Sequence, residues 1–274
     1  MNNHAARRYL LAVAAIAAIG LGLVVLGPHL RIGTEGSPAP KRGIVTITFD
    51  DAGLSQYDVG LRVARAEGVV GTLFVPTGLV TDANEPSWVM SWDQIRDFRD
   101  AGWEIGAHGA HHLPMTQLGP TTMESELTDP IDDIGAQIGV PPVSFSSPFG
   151  DFNDTTITRI MAYYDYQLSW KGHGGRNPIP DIDPRYIGRL EVIPAMSSAE
   201  VCGEMVRAAE TGTWLVLLFH TIVAGEPVAY EVSEAVYTEV VTCLGLLTRR
   251  GVVENMTVRD AMALITAQER MPTQ

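Results

Sequence analysis

Two adjacent carboxylates, Asp50-Asp51, close the run Ile44-Val45-Thr46-Ile47-Thr48-Phe49. Val, Ile and Thr in a short stretch favour an extended strand, so the pair sits where a strand gives way to a loop. Two like charges side by side repel unless a cation lies between them or one takes up a proton. Aspartate is also a common helix cap, and a helix beginning near Ser55 would give Asp51 that simpler role. Farther on, His108, His111 and His112 cluster at the end of a second extended run. His108 and His112 have the i, i+4 spacing of one class of zinc protease, but Gly109 stands where that motif needs glutamate. Gly109 and Leu113-Pro114 also speak against a helix there. A strand end followed by a tight loop can still turn both imidazoles to one point. Imidazole nitrogens and a carboxylate oxygen commonly hold a divalent metal while leaving a position open for water.

Such groups need a scaffold that gathers strand ends. The periodicity predicts a helix over 54–67, stopped by Gly68, then a strand over 69–75. A loop holding Asp82, Asn84 and Pro86 leads to a helix over 92–101 and a strand over 104–108. A helix over 121–138 should kink at Pro130. A strand over 143–146 runs into the turn Ser147-Pro148-Phe149-Gly150, followed by a helix over 155–164. Weaker strands near 167–170 and 186–192 precede a helix over 198–210. The apolar run 214–219 is short enough for a fully buried strand and ends on His220. A helix over 233–250, a strand at 252–253 and a helix over 258–266 close the chain.

Strands alternating with helices indicate parallel β/α construction. Asp50-Asp51, His108, Pro148-Phe149-Gly150 and His220 all fall at the C-terminal ends of expected strands, which in a (β/α) barrel form the catalytic face. An open doubly wound sheet also brings strand ends together. Functional positions drawn from strands along the whole chain favour the barrel.

The 274 residues suffice for one large domain or two modest ones. Residues 9–27 carry no charge and follow Arg7 and Arg8. About 20 apolar residues cross a bilayer, whereas a cleaved signal has a shorter apolar region and a small-x-small site, which Pro28-His29-Leu30-Arg31 does not supply. The expectation is an uncleaved transmembrane anchor at 9–27, with 1–8 in the cytoplasm and the rest outside; a cleaved, secreted form is the alternative. Residues 28–42 read as a Gly/Pro/Ser-punctuated tether, and 43–274 as the catalytic domain. Residues 1–42 carry a net +4, leaving −17 on the remainder. That surface repels phosphate backbones, so nucleic acid is excluded as a partner. Cys202 and Cys243 form a disulfide if their Cα atoms come within bridging distance, or remain two buried thiols. Nothing in the sequence speaks to oligomeric state.

Taken together, 43–266 resembles the polysaccharide deacetylase family, metal-dependent carbohydrate esterases built on a distorted (β/α)7–8 barrel. Thr48-Phe49-Asp50-Asp51 matches its first motif, with Ala52 in place of the usual following glycine. His108 and His112 match H-[ST]-x-x-H, with Gly109 replacing the hydroxyl residue. Pro148-Phe149-Gly150 matches R-x-P-[FY]-G, with Ser146 where arginine is expected, and Leu218-Phe219-His220 matches L-x-H. The resemblance implies that Asp51, His108 and His112 hold a metal, zinc before Co²⁺, Mn²⁺ or Ni²⁺. It implies that Asp50 is the general base toward a metal-bound water attacking an acetyl carbonyl. The Phe149 N–H would help stabilise the oxyanion, and His220 would protonate the leaving group. Leu218 would line the acetyl pocket, with Pro148, Phe149, Gly150 and Trp170 also facing substrate.

In the family, an arginine helps hold the base and pairs with an aspartate before a tryptophan. Here the tryptophan is Trp170, and Ser146 and Ser169 replace both charged members. Losing one alone would strand a buried charge, at about 3–5 kcal/mol; losing both avoids this. Arg189 is the candidate to reach Asp50 instead. The expected activity is removal of N- or O-linked acetyl groups from an extracellular or cell-wall polysaccharide. The alternatives are hydrolysis of a small amide or cyclic imide, or a non-catalytic carbohydrate-binding relative. Retention of Asp50 speaks against the last, because a binding module needs no general base.

Overall fold

The computed structural model describes residues 43–80, 88–169 and 173–269. The expected membrane segment, the tether, the loop over 82–86 and Trp170 lie outside the described residues. Among the described residues no helix is long and apolar enough to cross a membrane. In chain order the strands are β1 (Gly43–Phe49), β2 (Gly71–Val75), β3 (Glu104–Ala107), β4 (Ser144–Ser146), β5 (Tyr166–Ser169) and β6 (Arg176–Asn177). They continue with β7 (Ile187–Gly188), β8 (Leu190–Glu191), β9 (Trp214–Phe219), β10 (Thr221–Val223), β11 (Glu231–Ser233) and β12 (Val253–Asn255). The helices are α1 (Arg62–Glu67), α2 (Trp92–Asp100), α3 (Pro120–Ile138), α4 (Asp154–Ile160), α5 (Ser198–Thr211), α6 (Glu234–Arg249) and α7 (Val258–Glu269).

Every residue of β1 is buried, as a β-branched run with sheet on both sides requires. It pairs in parallel with β2, β9 and β12. The main sheet runs β6-β9-β1-β2-β3-β4-β5-β7, and β8 also pairs with β9. Only Arg189 separates β7, which pairs with β5, from β8, which pairs with β9. The sheet therefore nearly closes on itself, and the barrel expectation holds in preference to an open sheet. Apart from β6 against β9, the pairings of this sheet are parallel, so the C-terminal strand ends share one rim.

Local sequence sets the helix ends. Gly68 at φ 68° terminates α1 in the left-handed conformation that glycine adopts freely. Ser91 with Gln94 and Ser197 with Glu200 form capping boxes at α2 and α5. α3 continues through Pro130, which has no N–H to donate to the Glu126 carbonyl. Behind the rim, Phe49 stacks on Trp103 with ring centroids 5.2 Å apart and also meets Phe98, Phe219 and Tyr237. Fully burying such a ring contributes about 1.5–3 kcal/mol. Phe49 immediately precedes Asp50, so this packing anchors the residue that must be held still. Cys202 on α5 and Cys243 on α6 are joined as a disulfide, with Cα atoms 6.1 Å apart. The small β10–β11 pair, absent from the sequence-based expectation, follows His220 directly.

Candidate active site

The end of β1 turns sharply. Asp51 and Ala52 take φ of 74° and 52°, the left-handed region that favours glycine. That geometry accounts for a glycine preference at position 52; Ala52 accepts the strain while its methyl is fully buried. The turn points Asp51 at the histidines. Asp51 Oδ1 lies 3.3 Å from His108 Nε2 and 3.1 Å from His112 Nε2. Neither contact is aligned as a hydrogen bond, and this buried oxygen has no other partner. One donor atom from each of Asp51, His108 and His112 lies within 4.8 Å of the others. Lone pairs converging from one carboxylate and two imidazoles fit a divalent cation. His108 Nδ1 lies 2.7 Å from the Ser146 carbonyl, which directs Nε2 toward this point.

Asp50 faces a different partner. Arg189, placed by the link between β7 and β8, donates from Nη1 to Oδ1 at 2.7 Å and from Nη2 to Oδ2 at 2.9 Å. The same Nη2 donates to Ser146 Oγ at 2.9 Å, and Ser146 Oγ donates to Asp50 Oδ2 at 3.0 Å. The serine that stands for arginine in the third motif thus becomes part of a closed, buried network whose cation comes from another strand. Burial by itself would raise the Asp50 carboxyl, but the Arg189 guanidinium, aided by His108 and His220, outweighs it and holds the group at about 2. Burial likewise opposes ionisation of Asp51, yet the two imidazoles facing it drive it far below the usual range. His108 is shifted upward: burial disfavours its charge, but Asp50 and Asp51 prevail.

His220 stands at the end of β9, beside Asp50. Its Nδ1 is 3.5 Å from Glu191 Oε1 on β8. Buried Gln56 bridges the two strand ends, its Nε2 donating to the carbonyls of Asp50 at 2.6 Å and His220 at 3.0 Å. Phe149 follows β4 at φ 58°, largely exposed, with its ring centroid 4.4 Å from that of His112. Pro148 beneath it and Leu218 on β9 are buried, and Gly150 completes the turn. Ser169 is buried at the end of β5, and Trp170 is outside the described residues. Asp50, Asp51, His108, His112, Arg189 and His220 are therefore gathered on one rim.

Gln56, Glu191 and Glu126 were not singled out by sequence. Glu126, on α3 and almost fully buried, accepts the His111 N–H at 3.1 and 2.9 Å on its two oxygens. His111 Nδ1 lies 2.8 Å from Oε1. A β-carbon at Gly109, where φ is 71°, would lie 2.7 Å from Glu126 Oε2. Glycine in place of the motif's hydroxyl residue thus makes room for a carboxylate that clasps the histidine loop, in which His112 itself sits at φ 56°. Glu126→Ala is expected to weaken zinc binding about 10–100-fold by releasing that loop. Chelator competition measures this, and unchanged affinity would exclude the clasp.

Comparison with known proteins bears on the fold that carries this site. Residues 37–168 match the family model described as polysaccharide deacetylase. The Xyl-CE4 domain of a multidomain xylanase from the hindgut metagenome of Trinervitermes trinervoides superposes with a TM-score of 0.55 at 16% identity, covering 85% of this chain and 94% of that one. A family 4 carbohydrate esterase from Streptomyces lividans, in complex with acetate, gives 0.52 at 22%, covering 78% and 92%. Peptidoglycan deacetylase PdaC from Bacillus subtilis gives 0.53 at 17%, covering 84% and 95%. These structures share the fold with this chain. The first three motifs lie inside the matched segment and the strand ends converge on one rim, so residues 37–168 are those that this chain shares with the polysaccharide deacetylase family model.

Proposed function

We propose that the protein hydrolyses acetyl groups, N- or O-linked, from a polysaccharide outside the cytoplasm, with a divalent cation held by Asp51, His108 and His112. The observation that carries this reading is the buried Asp50 carboxylate, fixed by Arg189 and Ser146, directly beside a three-donor cluster. Held by these three side chains, a cation would polarise the acetyl carbonyl and acidify water, which a carboxylate as weakly basic as Asp50 needs in order to act on it.

Asp50 takes a proton from the water whose oxygen bonds to the acetyl carbon. The Phe149 N–H donates to the carbonyl oxygen as it gains negative charge. His220 gives a proton to the departing nitrogen or oxygen as its bond to the acetyl carbon breaks, releasing acetate. Glu191 Oε1, 3.5 Å from Nδ1 and not hydrogen-bonded to it, is placed to orient the ring once the two close to hydrogen-bond distance. Leu218 offers an apolar wall for the acetyl methyl. The uncharged stretch at 9–27 supports a membrane tether for the catalytic domain.

Acetate release from a panel of acetylated xylan, chitin oligomers and peptidoglycan tests the reading. We expect release from at least one of these polymers. Turnover confined to small amides or cyclic imides would replace it with the other hydrolase reading. Glycan affinity that survives Asp50→Asn, with no release from any polymer, would mark a binding protein.

A further inference from the structure

Among the described residues, five non-glycine residues hold a left-handed backbone: Asp51, Ala52, His112, Phe149 and Tyr230. The first four belong to the site just described. Strained non-glycine residues concentrate where function fixes a side chain. Tyr230, at φ 65°, is the fifth, and no motif points to it.

Its ring does not repay the strain by burial, being 65% exposed. Nor does the turn depend on the ring. Thr221 N donates to the Tyr230 carbonyl at 3.3 Å, Glu231 N to the Val228 carbonyl at 3.0 Å, and Val228 N to Glu231 Oε2 at 2.9 Å. Glycine at this position would keep those bonds without strain. What the tyrosine adds is an aromatic face beside the site, with its ring centroid 5.8 Å from that of His220.

The sheet order locates that face. Phe149 follows β4, while Tyr230 is tied to the start of β10, which continues β9 past His220. Between β4 and β9 lie β1, β2 and β3 on one side and β5, β7 and β8 on the other. The two exposed rings therefore stand on opposite parts of the rim, with the carboxylates and histidines between them. A pyranose ring presents C–H groups on its flat faces, and an exposed aromatic face is their natural partner.

We propose that Tyr230 is a substrate-binding residue, stacking on the sugar unit next to the acetylated one, on the His220 side. This rests on the polysaccharide reading above and adds to it that the site recognises more than one sugar unit.

The test compares wild type with Tyr230→Ala, Tyr230→Gly and Tyr230→Trp on acetylated glycan oligomers and on 4-nitrophenyl acetate, which has no sugar. Tyr230→Ala and Tyr230→Gly should raise KM for the oligomers about tenfold with kcat little changed. Both should leave hydrolysis of the aryl ester alone, and Tyr230→Trp should keep oligomer KM near wild type. Tyr230→Gly should melt no lower than wild type; a markedly lower Tm would assign the ring a structural role and overturn the proposal. Equal oligomer KM in all four proteins would overturn it too. The reaction itself can fail separately: if wild type releases no acetate, oligomer binding to Asp50→Asn with and without Tyr230→Ala decides the matter. Weaker binding without the ring supports the proposal, and equal binding overturns it.

Discussion

Replacing Asp51 by asparagine is expected to abolish divalent-metal uptake and to lower acetate release about 10³-fold, the several kcal/mol that a bound cation supplies at about 1.4 kcal/mol per tenfold. The amide keeps the shape but loses the charge, and beside two imidazoles a neutral amide oxygen binds zinc far more weakly than a carboxylate. Because the two imidazoles outweigh burial and favour the Asp51 charge in the fold, losing it should lower stability at neutral pH, offset in part by a left-handed backbone that suits asparagine better than most residues. Metal analysis of the purified variant, alongside its melting curve, separates the two effects. A variant that retains wild-type metal content would remove Asp51 from the ligand set.

Arg189→Ala is expected to damage both stability and catalysis. It leaves Asp50 buried with the Ser146 hydrogen bond and His108 Nε2 at 3.8 Å but no guanidinium, and breaking a buried pair from one side costs about 3–5 kcal/mol. Held at about 2 in the fold against 3.8 for the ordinary group, Asp50 contributes stability that is whole above about pH 4 and lost as pH falls through 2. Without the guanidinium, burial dominates and the carboxyl rises. The acid limb of the pH–rate profile, which requires Asp50 ionised, should then move to higher pH. Arg189→Lys should fall between the two, since an ammonium cannot span both carboxylate oxygens and Ser146. A pH–rate profile untouched by Arg189→Ala would mean that the pair plays no part in the reaction.

What the sequence made legible follows from how local the signal is. Asp50-Asp51, His108 and His220 end runs whose β-branched or apolar character marks them as strands, and a parallel barrel brings those ends together whatever the connections do. Arg189 could be suspected because two serines stood where a charge pair was expected, which left a buried carboxylate in need of a cation. Glu126 and Gln56 gave no such sign. Each sits on a helical segment among ordinary polar residues, and its partner is a backbone group distant in sequence or a loop that only the fold brings near. Gly109 was legible as a departure but not as an accommodation, since its reason is an oxygen arriving from α3. Glu191 lies on a short extended piece and Tyr230 in the turn before β11, neither with a repeating pattern, so their placement beside His220 emerges only from the pairing of β8 with β9 and of β10 with β11. Pro130 lies within α3, which stays one helix from Pro120 to Ile138 with Leu127, Pro130, Ile134 and Ile138 buried against the barrel.

The most direct test is to titrate purified protein with zinc after exhaustive chelation, while following acetate release from an acetylated glycan. One divalent ion per chain, with release that vanishes in the apo-protein and returns in step with occupancy, is the predicted outcome. Failure to take up an ion, or acetate release that persists in metal-free protein, would contradict it.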